Sequence, residues 1–265
     1  MKDKILIKKE GEIMTIYLNR PEKRNALDPE TMDALPRAFS AASEDADVKV
    51  IILAGVGEVF SAGIDLFSYP DLLMGKKDEG TSRLREYISD MHHGLNKIES
   101  LEKPVICAIN RYVVGMGLEL ALTADFRIAG EDAIFGMPEV QLGLIPDVGG
   151  TTRLTRLIGI VKAKELIMTG KMIDAKEALR IDLVNEIVPP GEELKVARKL
   201  AHHMIKNCSP AAVGLAKKII DLSEDLDKNT SLEMEGIFQS TLFQNTDDLV
   251  EGFMARVKRR RPNFE

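Results

Sequence analysis

In the stretch ILIKKEGEIMTIYLN, apolar and polar residues alternate in two short runs around Glu10-Gly11-Glu12, a pattern that predicts a β-hairpin. NALDPETMDALPRAFSAASED then changes to helical spacing, with Asp28 placed to cap a helix and Pro29 at its first position. VKVIILAGVG at 48–57 is a continuous β-branched run ending in glycine, as expected of a strand covered on both faces. PVICAINRYVV at 104–114 repeats that pattern, and ADFRIAGED and AIFGM supply two more short strands. The polar stretch MGKKDEGTSR reads as a surface loop that senses substrate length, followed by the helix REYISDMHHGLNKIESL. After TRLIGIVKAKELIMTG and AKEALRIDLVNEIV, the run Pro189-Pro190-Gly191 punctuates the chain, and only helical patterns follow. The expected class is therefore an α/β core over 1–195 with a helical C-terminal module over 196–265. No internal repeat is obvious.

Composition narrows the functional classes. The 265 residues suffice for a sizeable core, and 45% hydrophobic with 29% charged residues is ordinary for a globular chain. A net charge of -6 argues against nucleic acid as a partner. The charged amino terminus lacks the apolar core of a secretory signal, and no window approaches the roughly 20 apolar residues that span a bilayer. The expectation is a cytoplasmic protein with no membrane partner. Cys107 and Cys208 lack CxxC spacing and a histidine ligand set, so they read as inert thiols, and no metal site is expected.

Two glycine turns carry the first hint of chemistry. VVGMGLELALTAD reads as strand end, turn and helix start, which leaves backbone N–H groups near Met116 and Gly117 pointing out of the helix. FSAGID at 60–65 is a second such turn, and two sets of donors converging on one oxygen would suit a developing enolate. Nucleophilic acyl transfer finds no support: there is no GxSxG elbow, and His92, His93, His202 and His203 sit as adjacent pairs on helices that look solvated. Glu119 lies among Leu118, Leu120, Ala121 and Leu122. Facing inward, its pKa would rise toward neutrality and suit proton transfer; facing outward, it would be an ordinary helix-surface acid. Glu139 in FGMPEV and Asp147 in IPDVGG have equally ordinary alternatives as helix-start and turn residues. Taken jointly, two donor turns and three acids point to proton transfers beside a stabilised oxyanion.

NRPEKRNAL at 19–27, FSAGIDL at 60–66, GMGLELALTAD at 115–125 and FGMPEVQLGLIPDVGGTTRL at 135–154, in that order, resemble the crotonase superfamily of enoyl-CoA hydratases and isomerases from end to end. The resemblance implies a spiral of ββα turns, a helical C-terminal trimerisation region, a homotrimer or a hexamer of paired trimers, and an acyl-CoA thioester as substrate with no further cofactor. It implies that the N–H groups of Ile64 and Met116 hold the thioester oxygen. Glu119 and Glu139 match the two catalytic glutamates of hydratases, which activate water for the β-carbon while Glu139 protonates the α-carbon. Lys23, Arg24, Ala26, Ala62, Asp65, Leu66, Phe67 and Gly115 match positions that contact CoA or the acyl group.

Three departures from the family pattern matter. Met116 stands where many hydratases have glycine, which keeps the donor and narrows the acyl pocket. Arg111 replaces a common glycine, with no consequence derivable from sequence. Asp147 occupies a position where dienoyl-CoA isomerases carry a catalytic acid, although those enzymes tend to have aspartate at the position of Glu119. Hydration is thus the first expectation and double-bond isomerisation the second. A non-catalytic acyl-CoA binder comes last, since a binder has no need of buried acids. The basic residues Lys258 to Arg261 near the carboxy terminus read as a solvated tail or, by the resemblance, as a contribution to CoA phosphate binding.

Overall fold

The computed structural model describes residues 3–69, 77–244 and 246–264. Strands β1 (Ile5–Glu10) and β2 (Ile13–Leu18) form the expected hairpin, Ile5 opposite Leu18, with Gly11 at φ +60° in the turn. Helix α1 (Pro29–Glu44) starts where its cap dictates: Asp28 Oδ1 accepts from the Thr31 N–H at 2.9 Å. Such a cap contributes about 1 kcal/mol. Strand β3 (Val50–Gly55) follows, and then helix α2 (Lys77–Glu99). The loop expected at 74–83 is corrected here, because residues 74–76 lie outside the described residues and the chain is already helical at Lys77. Lysine and glutamate are good helix formers, and Gly80 is tolerated in a long helix.

A six-stranded sheet runs in the order β1, β2, β3, β4 (Val105–Ile109), β6 (Phe126–Gly130) and β9 (Glu186–Val188). Only the hairpin is antiparallel; every other pair is parallel, with Ile51 beside Val105 and Ile106 beside Phe126. A smaller sheet holds β5 (Tyr112–Val114), β7 (Ile134–Gly136) and β8 (Met172–Asp174). The long run at 104–114 is thus two strands in two sheets, split at Arg111, whose φ of +56° turns the chain. That left-handed backbone explains why a glycine suits this position, and an arginine there carries strain of about 1 kcal/mol.

The split recurs along the chain. β3 is followed by Ser61, which bridges Val113; β4 is followed by β5; β6 is followed by β7, with Tyr112 beside Ile134. Each pass contributes one strand to the large sheet and one short segment to the small one, so successive passes stack as a spiral. Both faces of the large sheet are covered, as the uninterrupted apolar runs require. Leu35 and Phe39 of α1 and Leu95 and Ile98 of α2 share one buried cluster with Ile51 and Leu53. On the other face, Ala197 and Ala201 of a later helix, Glu193–Asn207, pack with Tyr17, Ile52, Ile106 and Ile128. That helix straddles residue 195 and closes the sheet.

Between the short strands lie helix α3 (Met116–Ala121), α4 (Gly150–Thr169) and α5 (Ala175–Arg180). With Glu193–Asn207 as α6, the chain ends in α7 (Pro210–Ser223), α8 (Lys228–Gln244) and α9 (Thr246–Val257). Helix α7 is tied to the core by Lys217, whose Nζ lies 3.0 Å from Asp125 Oδ2. Among the described residues, no helix is long and apolar enough to cross a membrane.

Candidate active site

The two glycine turns occupy equivalent places on successive passes of the spiral, each just after its short-sheet segment. Ser61 N–H donates to Tyr112 O at 3.0 Å, Val114 N–H to Ser61 O at 3.2 Å, and Gly115 N–H to Gly136 O at 2.9 Å. Those bonds bring the turns at 61–64, 114–116 and 136–139 side by side. The crowding demands glycine at two points. A β-carbon at Gly63 (φ +89°) would sit 2.7 Å from Val114 O, and one at Gly115 (φ +54°) would sit 2.7 Å from Glu139 Oε1.

Ile64 bridges Leu27 through its neighbours: Leu27 N–H donates to Gly63 O and Asp65 N–H to Leu27 O. A parallel bridge of that form leaves the N–H of Ile64 itself pointing the other way. Met116 opens α3, where an N–H has no carbonyl one turn earlier to bind. Among the described residues neither N–H donates to a protein acceptor, so two adjacent turns each present one open donor. The Met116 side chain packs into the buried core.

Glu119 faces inward and is 2% exposed. Its Oε1 accepts from the Val148 N–H at 2.8 Å and the Gly150 N–H at 2.7 Å, at the N-terminus of α4. Desolvation dominates these bonds, and with the charges of Glu139 and Asp147 it pushes the Glu119 carboxyl up to about 8. Glu139 follows Pro138 in a 3₁₀ turn, Pro138–Leu142, which aims its side chain at Gly115. Its Oε2 is buried without a hydrogen-bond partner, and desolvation raises its pKa also. Glu139 thus reaches the turn that carries the Met116 N–H, and Glu119 lies on the helix that this turn opens. Asp147 is exposed, yet desolvation raises its carboxyl as well, with His92 acting in the opposite direction.

The residues matched to CoA contacts form one ledge. Ala62 N–H donates to Arg24 O at 3.0 Å, joining the loop at 20–27 to the turn at 61–67. Lys23, Arg24 and Ala62 are exposed, Ala26 and Leu66 are half-buried, and Phe67 is 93% exposed. Asp65 is engaged by Arg20, Nη2 to Oδ2 at 2.9 Å. Burial acts to raise the Asp65 pKa, but hydrogen bonds from Arg20 and Ser68 outweigh it and leave the carboxyl low. Asn25 braces the loop from inside, donating to Val56 O and Val59 O, while Ser61 Oγ donates to Asn25 O at 2.9 Å.

Sequence reading missed three further residues. Arg20 and Ser61 shape the ledge. His92 belongs to a pair read as solvated, yet its Nε2 lies 2.6 Å from Asp147 O; His93, His202 and His203 are exposed as expected. Their partners lie far along the chain, so spacing carries no signal of them. Cys107 is buried in β4, where desolvation pushes its thiol up and suppresses its reactivity. No cluster of three metal-ligating side chains occurs among the described residues.

Comparison with known proteins identifies the family. The family model for enoyl-CoA hydratase/isomerase matches residues 8–265. A short-chain-enoyl-CoA hydratase of Clostridium acetobutylicum is 36% identical, covering 97% of this chain and 95% of its own length. A crotonyl-CoA hydratase of Syntrophomonas wolfei is 37% identical over 99% of this chain and 98% of its own. The crystal structure of an enoyl-CoA hydratase from Bacillus anthracis superimposes with a TM-score of 0.91 at 36% identity, covering 99% of each chain. The chain belongs to the enoyl-CoA hydratase/isomerase family and is an enzyme of it.

Proposed function

We propose that the protein adds water across the 2,3 double bond of an enoyl-CoA thioester. The observation that carries this reading is that Glu139 reaches the Gly115 turn beside the open Met116 N–H, while Glu119, buried on the helix that this turn opens, feels the charge of Glu139. In this reading the Ile64 and Met116 N–H groups hold the thioester oxygen and stabilise the enolate. Both carboxyls are raised, so the pair retains a proton near neutral pH. Hydration needs that state. One carboxylate accepts a proton from water as its oxygen bonds to the β-carbon, and Glu139 returns a proton to the α-carbon of the enolate. The exposed ledge of Lys23, Arg24, Ala26, Ala62, Leu66 and Phe67 receives the CoA moiety, with Asp65 shaping it through Arg20 and Gly115 leaving room beside Glu139. The step uses no further cofactor. Loss of the conjugated enoyl absorbance of crotonyl-CoA, with 3-hydroxyacyl-CoA as product, is the expected result. An unchanged spectrum at micromolar enzyme would overturn the reading.

Asp147 favours a second reading, double-bond isomerisation, because its charge reaches both glutamates. Conversion of 3-enoyl-CoA or 3,5-dienoyl-CoA faster than hydration of crotonyl-CoA would select it. We also propose a homotrimer or a dimer of trimers. Ile160, Val161 and Met168 of α4 and Ile237, Phe243, Phe253 and Val257 of the last two helices are exposed apolar side chains, more than a monomer leaves to water. Light scattering that shows monomer alone at micromolar concentration would refute the assembly.

A further inference from the structure

Both hydrogen bonds to Glu119 come from one short segment, Pro146–Gly150, and one arginine holds that segment in place. The Arg153 guanidinium donates through Nε and Nη2 to Glu99 Oε2 at 3.0 and 2.9 Å, through Nη2 to Asn96 Oδ1 at 2.5 Å, and through Nη1 to Val148 O at 3.2 Å. Its side chain is 10% exposed and folds across Gly149, where a β-carbon would lie 1.9 Å from Nη1. Gly149 stands at φ +105°, a backbone that glycine alone adopts easily. This places the Val148 and Gly150 N–H groups on either side of a residue pinned by Arg153 to helix α2.

We infer that Arg153, anchored by Glu99 and Asn96, is a positioning residue that sets the proton affinity of Glu119 by fixing the two N–H groups it accepts. The inference rests on the reading of Glu119 as a proton-transfer group. N–H bonds favour the ionised carboxylate, so loosening the segment raises the pKa of Glu119 further. The other groups facing Glu119 act in the same upward direction: Glu139 from the 3₁₀ turn and Asp147 from the loop before α4, the latter beside His92 of α2. Raising one member of a coupled pair moves both apparent pKa values upward, and the pH profile of kcat/KM with them.

Two substitutions separate clamp from charge. Arg153→Met removes a positive charge, which by simple electrostatics raises the pKa of Glu119. Glu99→Gln removes a negative charge, which by the same logic lowers it. A clamp predicts that both move the profile the same way. We expect the kcat/KM profile for crotonyl-CoA to shift to higher pH by about half a unit or more in each variant, with kcat at pH 7 falling roughly 10-fold and KM changing less than about 3-fold. An unmoved profile, or opposite shifts in the two variants, overturns the clamp. Should Arg153→Met fail to fold by circular dichroism, Glu99→Gln and Asn96→Ala loosen the anchor with Arg153 retained, and an unmoved profile in both overturns it equally. Glu119→Gln measured alongside keeps the two readings apart. Near-full hydratase activity there refutes the role of Glu119, whereas a strongly impaired Glu119→Gln with an unmoved Arg153→Met profile refutes the clamp alone.

Discussion

Glu119 and Asp125 lie six positions apart, at the two ends of one short buried stretch, and desolvation raises both carboxyls. Their surroundings differ in one respect. Asp125 has a cation, Lys217, at 3.0 Å, and exchanges backbone and side-chain bonds with Val105: its Oδ2 accepts from the Val105 N–H at 2.7 Å while its own N–H donates to Val105 O. Among the described residues Glu119 accepts only N–H bonds, on one oxygen, and the charges that act on it most are those of Glu139 and Asp147. In the proposed reading, a carboxylate that serves the fold is neutralised by a partner, whereas one that serves chemistry is left with its charge unsettled. The first arrangement joins strand β4 to helix α7. The second, with its raised carboxyl, suits the proton transfer proposed for it.

The comparison breaks most sharply if the acids exchange roles on substitution. Glu119→Gln and Glu139→Gln should each lower hydration of crotonyl-CoA by about 100- to 10,000-fold with KM little changed, the range for loss of an acid–base group. Asp125→Asn should leave kcat within about 2-fold, and a larger loss would show that Asp125 is more than structural. Next in size is Lys217→Met, which strands a buried carboxylate and should cost about 3 kcal/mol of stability at pH 8. The Asp125 pKa is already raised in the folded state, so without its cation the penalty should shrink as the pH is lowered from 8 to 5 and the neutral form becomes more accessible. Thermal melts at the two pH values read this out, and a penalty independent of pH would count against the pairing. Met116→Pro removes one open donor and should slow turnover by roughly 100-fold. A folded variant with full turnover would free that N–H from its role. A small effect is also expected of Asp147→Asn on hydration, under about 3-fold, since Asp147 is exposed and meets His92 through its backbone carbonyl. Parity between Asp147→Asn and Glu139→Gln would move the chemistry toward isomerisation.

Much of the fold was legible because the central strands β3 and β4 of the large sheet are sandwiched and read as unbroken apolar runs, while the hairpin at its edge alternates. The hairpin, the Asp28 cap and strands β3, β4, β6 and β7 follow directly from such local signals. The spiral repeat was not legible, because each pass fills its place with different apolar residues and the backbone alone repeats. The break at Arg111 was hidden for a related reason: apolar residues continue on both sides of a turn made by one φ angle. Motif order pointed to the donor turns and the glutamates before any coordinates, while the inward direction of Glu119 could not be told from an amphipathic helix. Arg153 and His92 were out of reach, since each acts on a partner 54 or 55 positions away.

The bonds from Val148 and Gly150 to Glu119 span 29 and 31 residues of chain. Until Pro146–Gly150 docks, a chain that has already assembled β4, β5 and helix α3 holds a carboxyl in an apolar setting with neither bond made. Completion of the site thus depends on a contact that strand pairing does not itself make, and the acid opposes closure of the core around it before that contact forms. Refolding followed by recovery of hydratase activity should lag behind refolding followed by far-ultraviolet circular dichroism. In the Glu119→Leu chain, which has no charge to shelter, the core should close ahead of that of the natural sequence.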